Sequence, residues 1–332
     1  MGRVRWHTIL VVVLTVGLLW LFFRNINLRE AWVTMTHADV RYLVLALLSL
    51  VATYLVRTWR WQALLQPIGN APFSTAFRCT VIGFAATAVL PARVGEVLRP
   101  YLLAKREGLK ATSTFATVIV ERLLDVCTVF LLFAVALPYA GAKVDSGIKW
   151  AGALAATAAV TALVILFVLA GHPERLRGWA EQVVGKLPGK AAGKVGHFVQ
   201  TFVEGLKVMR SPAHFGVAVA WSIPVWLTIA LGIWFTSQAL GLTFSFLGSF
   251  LVMGALSVGV SAPTPGGAGG FHLMYKIAVT QFFGADPAVA GAAAIILHLI
   301  SFGPVTIAGL LLMWHDGLTI ASLKRMKDEA PQ

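Results

Sequence analysis

The sequence predicts an all-α, polytopic membrane protein, and composition, hydropathy and two interrupted apolar segments are the reasons. Of its 332 residues, 58% are hydrophobic and only 12% are charged, and the mean hydropathy is +0.79. Soluble domains carry about 25% charged residues. We therefore expect a single transmembrane domain over residues 1–332, in the cell (inner or plasma) membrane.

Apolar segments of about 20 residues match a hydrocarbon core about 30 Å thick. The N-terminal segment resembles a signal peptide, but it lacks a small-residue cleavage site and runs into Arg24, so we expect a retained first span. Six full spans are predicted, at 8–23, 42–56, 117–137, 150–170, 215–240 and 287–314. Two further apolar segments, 73–90 and 244–262, end at proline and glycine; they are either re-entrant hairpins or a seventh and an eighth span.

Basic residues set the expected orientation. The net charge is +13, which in a soluble protein would suggest a nucleic-acid partner. Here we expect no nucleic acid, because lysine and arginine gather in cytoplasmic loops and contact anionic lipid headgroups. Arg3 and Arg5 precede the first span, and Lys324, Arg325 and Lys327 lie in the C-terminal tail. Both termini are therefore predicted to be cytoplasmic.

The loop 172–210 is the longest basic segment, with seven basic and three acidic residues. Its apolar residues recur at helical spacing, which predicts an amphipathic helix in the cytoplasmic interface. A helix packed on the protein's own cytoplasmic loops is the alternative. The apolar residues of this face are Val195, Phe198, Val199, Phe202, Leu206 and Met209.

The interrupted segments GFAATAVLPARVGE (83–96) and GALSVGVSAPTPGGAG (254–269) resemble each other in pattern. Each is rich in small residues, breaks at proline and resumes after glycine. They would enter from opposite sides, as in an inverted repeat with halves at 42–140 and 212–314. The alternative is that small residues only permit tight helix packing. The predicted structural breaks are Pro91, Gly95, Pro263, Pro265, Gly266, Gly267 and Gly269.

Charged residues in apolar surroundings are the candidate substrate-binding residues. Each costs about 2.5–3.5 kcal/mol on insertion scales, so such residues pair or line a polar cavity. Pairing of Arg93 or Arg99 with Glu121 or Asp125 would fix the bundle. Surplus arginine would instead bind a phosphate-bearing headgroup, because a guanidinium fork matches phosphate oxygens. The candidates are Arg60, Arg93, Glu96, Arg99, Glu121, Arg122, Asp125 and, with less support, His272.

Several chemistries have no sequence signature. We find no phosphate-binding loop of an ATPase, no dinucleotide fingerprint in the required context, and no hydrolase or kinase motif. The two cysteines, Cys79 and Cys127, lie in apolar segments without zinc spacing. We therefore expect no cofactor, no metal and no enzyme activity.

Four motifs in order resemble one family, the flippase-like transmembrane domain of lysylphosphatidylglycerol synthases. They are RTWRWQALL (57–65), LPARVGEVLR (90–99), ERLLD (121–125) and PTPGGAGGF (263–271). The resemblance implies an all-helical bundle that moves lipids or lipid-linked groups between leaflets. The sequence ends at Gln332, so we expect no aminoacyl-transfer domain. Many relatives have an acidic residue where this sequence has His272, which leaves the preferred headgroup charge and any proton coupling open.

The sequence thus predicts a lipid transporter, or flippase, whose partners are membrane lipids with anionic or phosphate-bearing headgroups. One alternative is an intramembrane lipid-modifying enzyme that uses Glu121 and Asp125. The other is a membrane scaffold that docks a separate lipid synthase through the basic loop.

Overall fold

The computed structural model describes residues 2–24, 26–90, 93–139 and 212–318, with scattered positions between 150 and 164. Within these residues the regular structure is helical throughout, which confirms the all-α fold class. The helices, numbered in chain order, are α1 (Gly2–Phe23), α2 (Leu28–Thr36), α3 (Val40–Leu65), α4 (Phe73–Val89), α5 (Gly95–Glu107), α6 (Ala111–Ala136), α7 (Pro212–Ala239), α8 (Gly248–Ser261), α9 (Gly270–Phe283) and α10 (Pro287–His315).

Among the described helices, α3, α7 and α10 are long and apolar enough to cross a bilayer. The pair α1 and α2, bent by 82°, would make a fourth span. Helix α6 equals α3 in length at 26 residues, but its middle carries Glu121, Arg122 and Asp125. The count of six spans therefore stays a prediction. The predicted span 150–170 and the interfacial helix in 172–210 lie largely outside the described residues.

Helix boundaries follow local capping chemistry. Asp39 and Asp286 accept backbone N–H groups at the starts of α3 and α10, which satisfies donors that have no partner within the helix. Helix α5 ends at Gly108, whose left-handed backbone conformation suits glycine. The predicted end of the second span at residue 56 was wrong by nine residues, because α3 continues to Leu65 with Arg57 and Arg60 buried inside the protein.

Both interrupted segments form hairpins. Helices α4 and α5 contain 17 and 13 residues, and α8 and α9 contain 14 each. At 1.5 Å per residue, each arm is about 20–25 Å long, shorter than a hydrocarbon core about 30 Å thick. The arms of each hairpin pack against each other through glycine, Gly83 against Gly95 and Gly259 against Gly270. This is the geometry expected of re-entrant hairpins.

The breaks themselves differ in backbone. Pro91 lies outside the described residues, and Arg93 has a φ of 52°, which is rare for a residue other than glycine. In the second hairpin, Pro263 and Thr264 lead into a short 3₁₀ turn over Pro265–Gly267. Gly266, Gly267 and Gly269 also have positive φ angles of 57°, 69° and 83°, which glycine adopts without steric cost.

The two halves of the chain pack against each other. Helix α3 lies along α7, α4 packs on α10, and α8 packs on α6. Within each half, the hairpin arms also contact the helix that follows them, α5 with α6 and α9 with α10. These contacts bring residues of α3, α5, α6 and α7 together at one point in the bundle.

Candidate functional site

Four arginines and two carboxylates meet inside the bundle, and we call this group the arginine cluster. Helix α3 supplies two of the arginines, α5 supplies one, and α6 supplies the fourth together with both carboxylates. All the side chains are at least nine-tenths buried apart from that of Arg122, which is 35% exposed. The members are Arg57, Arg60, Arg99, Arg122, Glu121 and Asp125.

Glu121 lies at the centre of the cluster, with a fully buried side chain. Its Oε1 accepts hydrogen bonds from Nη1 of Arg99 at 2.9 Å and from Nη2 of Arg122 at 2.8 Å. Nη2 of Arg60 lies 3.3 Å from the same oxygen. The pairing of Arg99 with Glu121 was one of the structural alternatives that the sequence left open.

Asp125 lies one helical turn further along α6 and joins the cluster to α7. Its Oδ1 accepts a hydrogen bond from Nη1 of Arg60 at 2.7 Å and another from the indole Nε1 of Trp226 at 3.0 Å. The same Arg60 nitrogen also donates to Oγ of Ser222 at 3.2 Å. Charged groups of the first half of the chain thus contact polar groups of the second half.

Aromatic rings cover two of the guanidinium groups. The guanidinium of Arg99 lies 3.8 Å from the centroid of the Trp61 ring, and that of Arg57 lies 4.9 Å from the Phe84 ring. The Trp61 indole is held by a hydrogen bond to Thr117 at 3.0 Å. Such cation–π contacts are stronger when the partners are shielded from water, so the rings help to hold the cations in place.

The cluster retains unused hydrogen-bond donors and a surplus of positive charge. Within the cluster, four guanidinium groups face two carboxylates, which leaves two positive charges uncompensated. Buried nitrogens without an acceptor among the described residues include Nε and Nη1 of Arg57, Nε of Arg60, Nε and Nη2 of Arg99, and Nε of Arg122. An anion with several oxygen acceptors is the chemical group that this arrangement can bind.

Sequence reasoning left Arg57 out of the candidate residues. The motif RTWRW looks like an interfacial anchor, because tryptophan and arginine are typical of helix ends near headgroups. The available signal was its spacing, since Arg57 lies three residues before Arg60 and so shares a helical face with it.

Arg93 and Glu96 lie beside the cluster, where the Glu96 carboxylate acts electrostatically on Arg122, but neither forms an ion pair with a cluster member among the described residues. Arg93 precedes α5, and its Nη1 lies 3.4 Å from Oε1 of Glu96. Its Nη2 donates to the backbone carbonyl of Val260, near the end of α8, at 2.7 Å. Arg93 therefore links the first break to the second.

His272 lies away from the arginines and packs against aromatic rings. Its ring centroid is 4.5 Å from that of His298 and 5.2 Å from that of Phe22. His298 in turn lies 3.0 Å, through Nε2, from the carbonyl oxygen of Gly266 in the second break. Next to this stack, Lys276 donates to the backbone carbonyl of Phe22 at 2.6 Å. Among the described residues, no group of three or more His, Cys, Asp or Glu side chains is arranged to hold a metal ion.

Comparison with known proteins gives one family. The family model described as the lysylphosphatidylglycerol synthase TM region matches residues 8–309. A UPF0104 membrane protein of Methanothermobacter thermautotrophicus is 24% identical over 302 residues, covering 86% of this chain and 88% of that protein. A second UPF0104 membrane protein, from Pyrococcus horikoshii, is 24% identical over 309 residues and covers 87% and 91%.

A similar protein with a more specific name is the glycosyltransferase AglD of Haloferax volcanii. It is 26% identical over 339 aligned residues, which cover 91% of this chain and 52% of that protein.

Proposed function

Because this chain belongs to the family of the lysylphosphatidylglycerol synthase transmembrane region, we propose that it is a lipid transporter. It moves a phosphate-bearing lipid, or a lipid-linked headgroup, between the leaflets of the membrane. The lipid tails stay in the hydrocarbon while the headgroup passes through the polar interior of the bundle.

The observation that carries this proposal is the arginine cluster. Ion pairs alone would require only as many guanidinium groups as carboxylates, whereas this cluster has two arginines in excess. A surplus charge in apolar surroundings is unfavourable until an anion compensates it. A phosphate group supplies that charge and accepts hydrogen bonds from several guanidinium nitrogens.

The packing of the two halves supports an inverted repeat around this site. Under the proposed repeat, α3 corresponds to α7, α4 to α8, α5 to α9, and α6 to α10. Contacts then occur in matching pairs, since α4 packs on α10 and α8 packs on α6. In many transporters the substrate site lies where such halves meet. In the proposed orientation both chain termini are cytoplasmic, which the basic residues at both ends favour.

The two hairpin breaks are the elements expected to move. Backbone without helical hydrogen bonds is tolerated at membrane depth only where protein or water covers it. The hydrogen bond from Arg93 to Val260 holds the breaks together, and its rupture would let the hairpins separate. Exposure of the cluster to one side and then to the other is the step that moves the headgroup.

The name of the Haloferax volcanii relative makes an enzyme the second candidate. Glu121 and Asp125 are the acid–base pair that such a reaction would need inside the membrane. Both already accept hydrogen bonds from arginine, so the pair is better suited to holding cations than to exchanging protons. Incubation of the purified protein with lipids, followed by mass spectrometry, separates the two candidates, because only an enzyme would form a new covalent product.

Transport can be tested in liposomes that contain the purified full-length chain and an anionic lipid with a fluorescent headgroup. A membrane-impermeant quencher then reports how fast the labelled headgroup changes leaflets. We expect faster exchange than in empty liposomes, at least about tenfold slower exchange with Arg99→Gln, and a smaller decrease with Arg93→Ala. Arg41→Gln is the matched control, since this arginine is likewise part of a helix but has an 88% exposed side chain.

Equal rates in liposomes with and without protein, for several anionic lipids, would contradict the transport proposal. Deletion of residues 175–209 tests the scaffold alternative, which predicts loss of a co-purifying lipid synthase with lipid movement unchanged.

A further inference from the structure

Of the four arginines in the cluster, Arg57 has the weakest contacts with the two carboxylates. Its Nη1 is 3.7 Å from Oε1 of Glu121 and 3.8 Å from Oδ2 of Asp125, beyond hydrogen-bond distance. The residue is only 6% exposed. The Phe84 ring covers one face of the guanidinium, and Nε and Nη1 of Arg57 have no acceptor among the described residues.

The other three arginines bind one oxygen of each carboxylate, while Oε2 of Glu121 and Oδ2 of Asp125 have no hydrogen-bond partner among the described residues. Arg60 binds Asp125 at 2.7 Å, and Arg99 and Arg122 bind Glu121 at 2.9 and 2.8 Å. These three cations and two anions leave one positive charge, and Arg57 adds a second. The nearby pair of Arg93 and Glu96 is neutral as a pair and does not alter this balance.

From this balance we infer that the cluster selects headgroups with a doubly charged phosphate, a phosphate monoester or a diphosphate, over phosphodiesters with a single charge. Arg57 is the residue that sets the preference. The inference rests on the proposed function, because it takes the cluster to be the headgroup site. A phosphomonoester carries a charge of about −1.5 to −2 at pH 7, whereas a phosphodiester has one ionisable oxygen and carries −1.

The number of acceptor oxygens also favours a phosphate monoester or a diphosphate over a phosphodiester. A terminal phosphate presents three oxygens, and each can accept hydrogen bonds from different guanidinium groups. The unsatisfied nitrogens belong to arginines on three different helices, α3, α5 and α6. A diester has two of its four oxygens blocked by carbon and satisfies fewer of these donors. Arg122, the most exposed member of the cluster, marks the side from which a headgroup would approach.

A matched pair of short-chain lipids tests the preference directly. Dihexanoyl phosphatidic acid and dihexanoyl phosphatidylmethanol differ by one methyl ester and therefore by one charge. Titration calorimetry on the purified full-length chain in detergent at pH 7.5 measures the affinity for each. We expect the monoester to bind about tenfold or more tightly, the size expected for one additional charge-assisted hydrogen bond.

Inorganic diphosphate is the third ligand, because a free anion and a lipid headgroup share this chemistry. Weaker binding of inorganic diphosphate than of phosphatidic acid would support a lipid headgroup, and not a free anion, as the ligand of the cluster. Equal or tighter binding of the inorganic anion would keep the charge preference but count against a lipid substrate.

Variants of Arg57 show whether this residue sets the preference. Arg57→Gln should reduce the ratio of the two lipid affinities to within about twofold, whereas Arg57→Lys, which keeps the charge, should retain most of it. Arg41→Gln should leave the ratio unchanged. A melting temperature close to that of the unaltered protein shows that a variant is folded.

Equal affinity of the unaltered protein for both lipids would overturn this inference without affecting the transport proposal, which is tested by leaflet exchange. A tenfold preference that survives Arg57→Gln would also overturn it. Absence of binding by either anionic lipid would contradict both the inference and the headgroup site on which it rests.

Discussion

The two hairpins share a shape but differ in chemistry. The first, α4–α5, contributes Arg99 to a buried cluster of charges. The second, α8–α9, contributes to a stack of aromatic and imidazole rings in which His272 contacts His298 and Phe271 contacts Phe302. Both hairpins bring their arms together through glycine contacts. The comparison indicates that packing is what the two halves share, while the candidate binding chemistry lies in the first half.

The two halves contribute different chemical groups to the interior of the bundle. Charge is concentrated where α3, α5 and α6 of the first half meet, and the second half contributes uncharged hydrogen-bonding groups such as those of Ser222 and Trp226. The second break instead offers a backbone acceptor, the carbonyl of Val260, to Arg93. Under the proposed function, the first half binds the headgroup, and the hydrogen bond from Arg93 connects its hairpin to the second hairpin.

The largest expected effect comes from removing the centre of the charged half. Glu121→Ala would leave Arg60, Arg99 and Arg122 without their shared acceptor. Breaking a buried ion pair from one side costs about 3–5 kcal/mol, so we expect a large fall in melting temperature and in yield from detergent. Glu96→Gln is the control, because Glu96 has a 34% exposed side chain and its ion pair among the described residues is with Arg93, outside the cluster. Equal stability of the two variants would show that the cluster is not a stabilising centre.

Paired glycine substitutions test whether the hairpins are equivalent in packing. A methyl group at Gly95 would collide with the backbone of Gly83, and one at Gly270 would collide with that of Gly259. Overpacking of this kind costs about 1–3 kcal/mol, and we expect Gly95→Ala and Gly270→Ala to lower the melting temperature by similar amounts. A strong effect in only one hairpin would break the correspondence between halves.

A control for these substitutions is available in α7. A methyl group at Gly216 would meet no atom within 4 Å. Because alanine favours a helix over glycine by up to about 1 kcal/mol, Gly216→Ala should leave stability unchanged or slightly raised.

The smallest expected effect concerns the second hairpin. His272→Asn removes the ring contact with His298 but no charge-paired group, so leaflet exchange should change by less than about twofold. Arg99→Gln, at the corresponding hairpin of the first half, should slow exchange much more. A loss of exchange in the His272 variant as large as in the Arg99 variant would mean that the second half also carries out part of the transport chemistry.

Hydropathy and breaker residues predicted much of the fold. Long apolar segments correspond to α1, α3, α7 and α10, and proline and glycine in the sequence mark both hairpins. The short helix α2 was not anticipated, since its nine residues lie between two apolar segments and are capped by Asn27. A helix of that length has too little periodicity to stand out.

The candidate site was harder to predict from the sequence than the fold. The pattern identified Arg60, Glu121 and Asp125, but it could not show that Arg60 reaches Asp125, which lies 65 positions away in the chain. Such a contact depends on how α3 and α6 are rotated in the bundle. Arg57 was assigned to the interface because its neighbours are aromatic, whereas burial of a whole helical turn depends on the helices packed around it.

The bond from Lys276 to the carbonyl of Phe22 gives the N-terminal helix a structural role in the second hairpin. Phe22 lies in the last turn of α1, where backbone carbonyls have no partner within the helix and can accept from other groups. Truncating the first 24 residues, for instance to attach an affinity tag, would therefore leave the Lys276 ammonium without this acceptor, and expression vectors for this protein should keep the N-terminal helix intact.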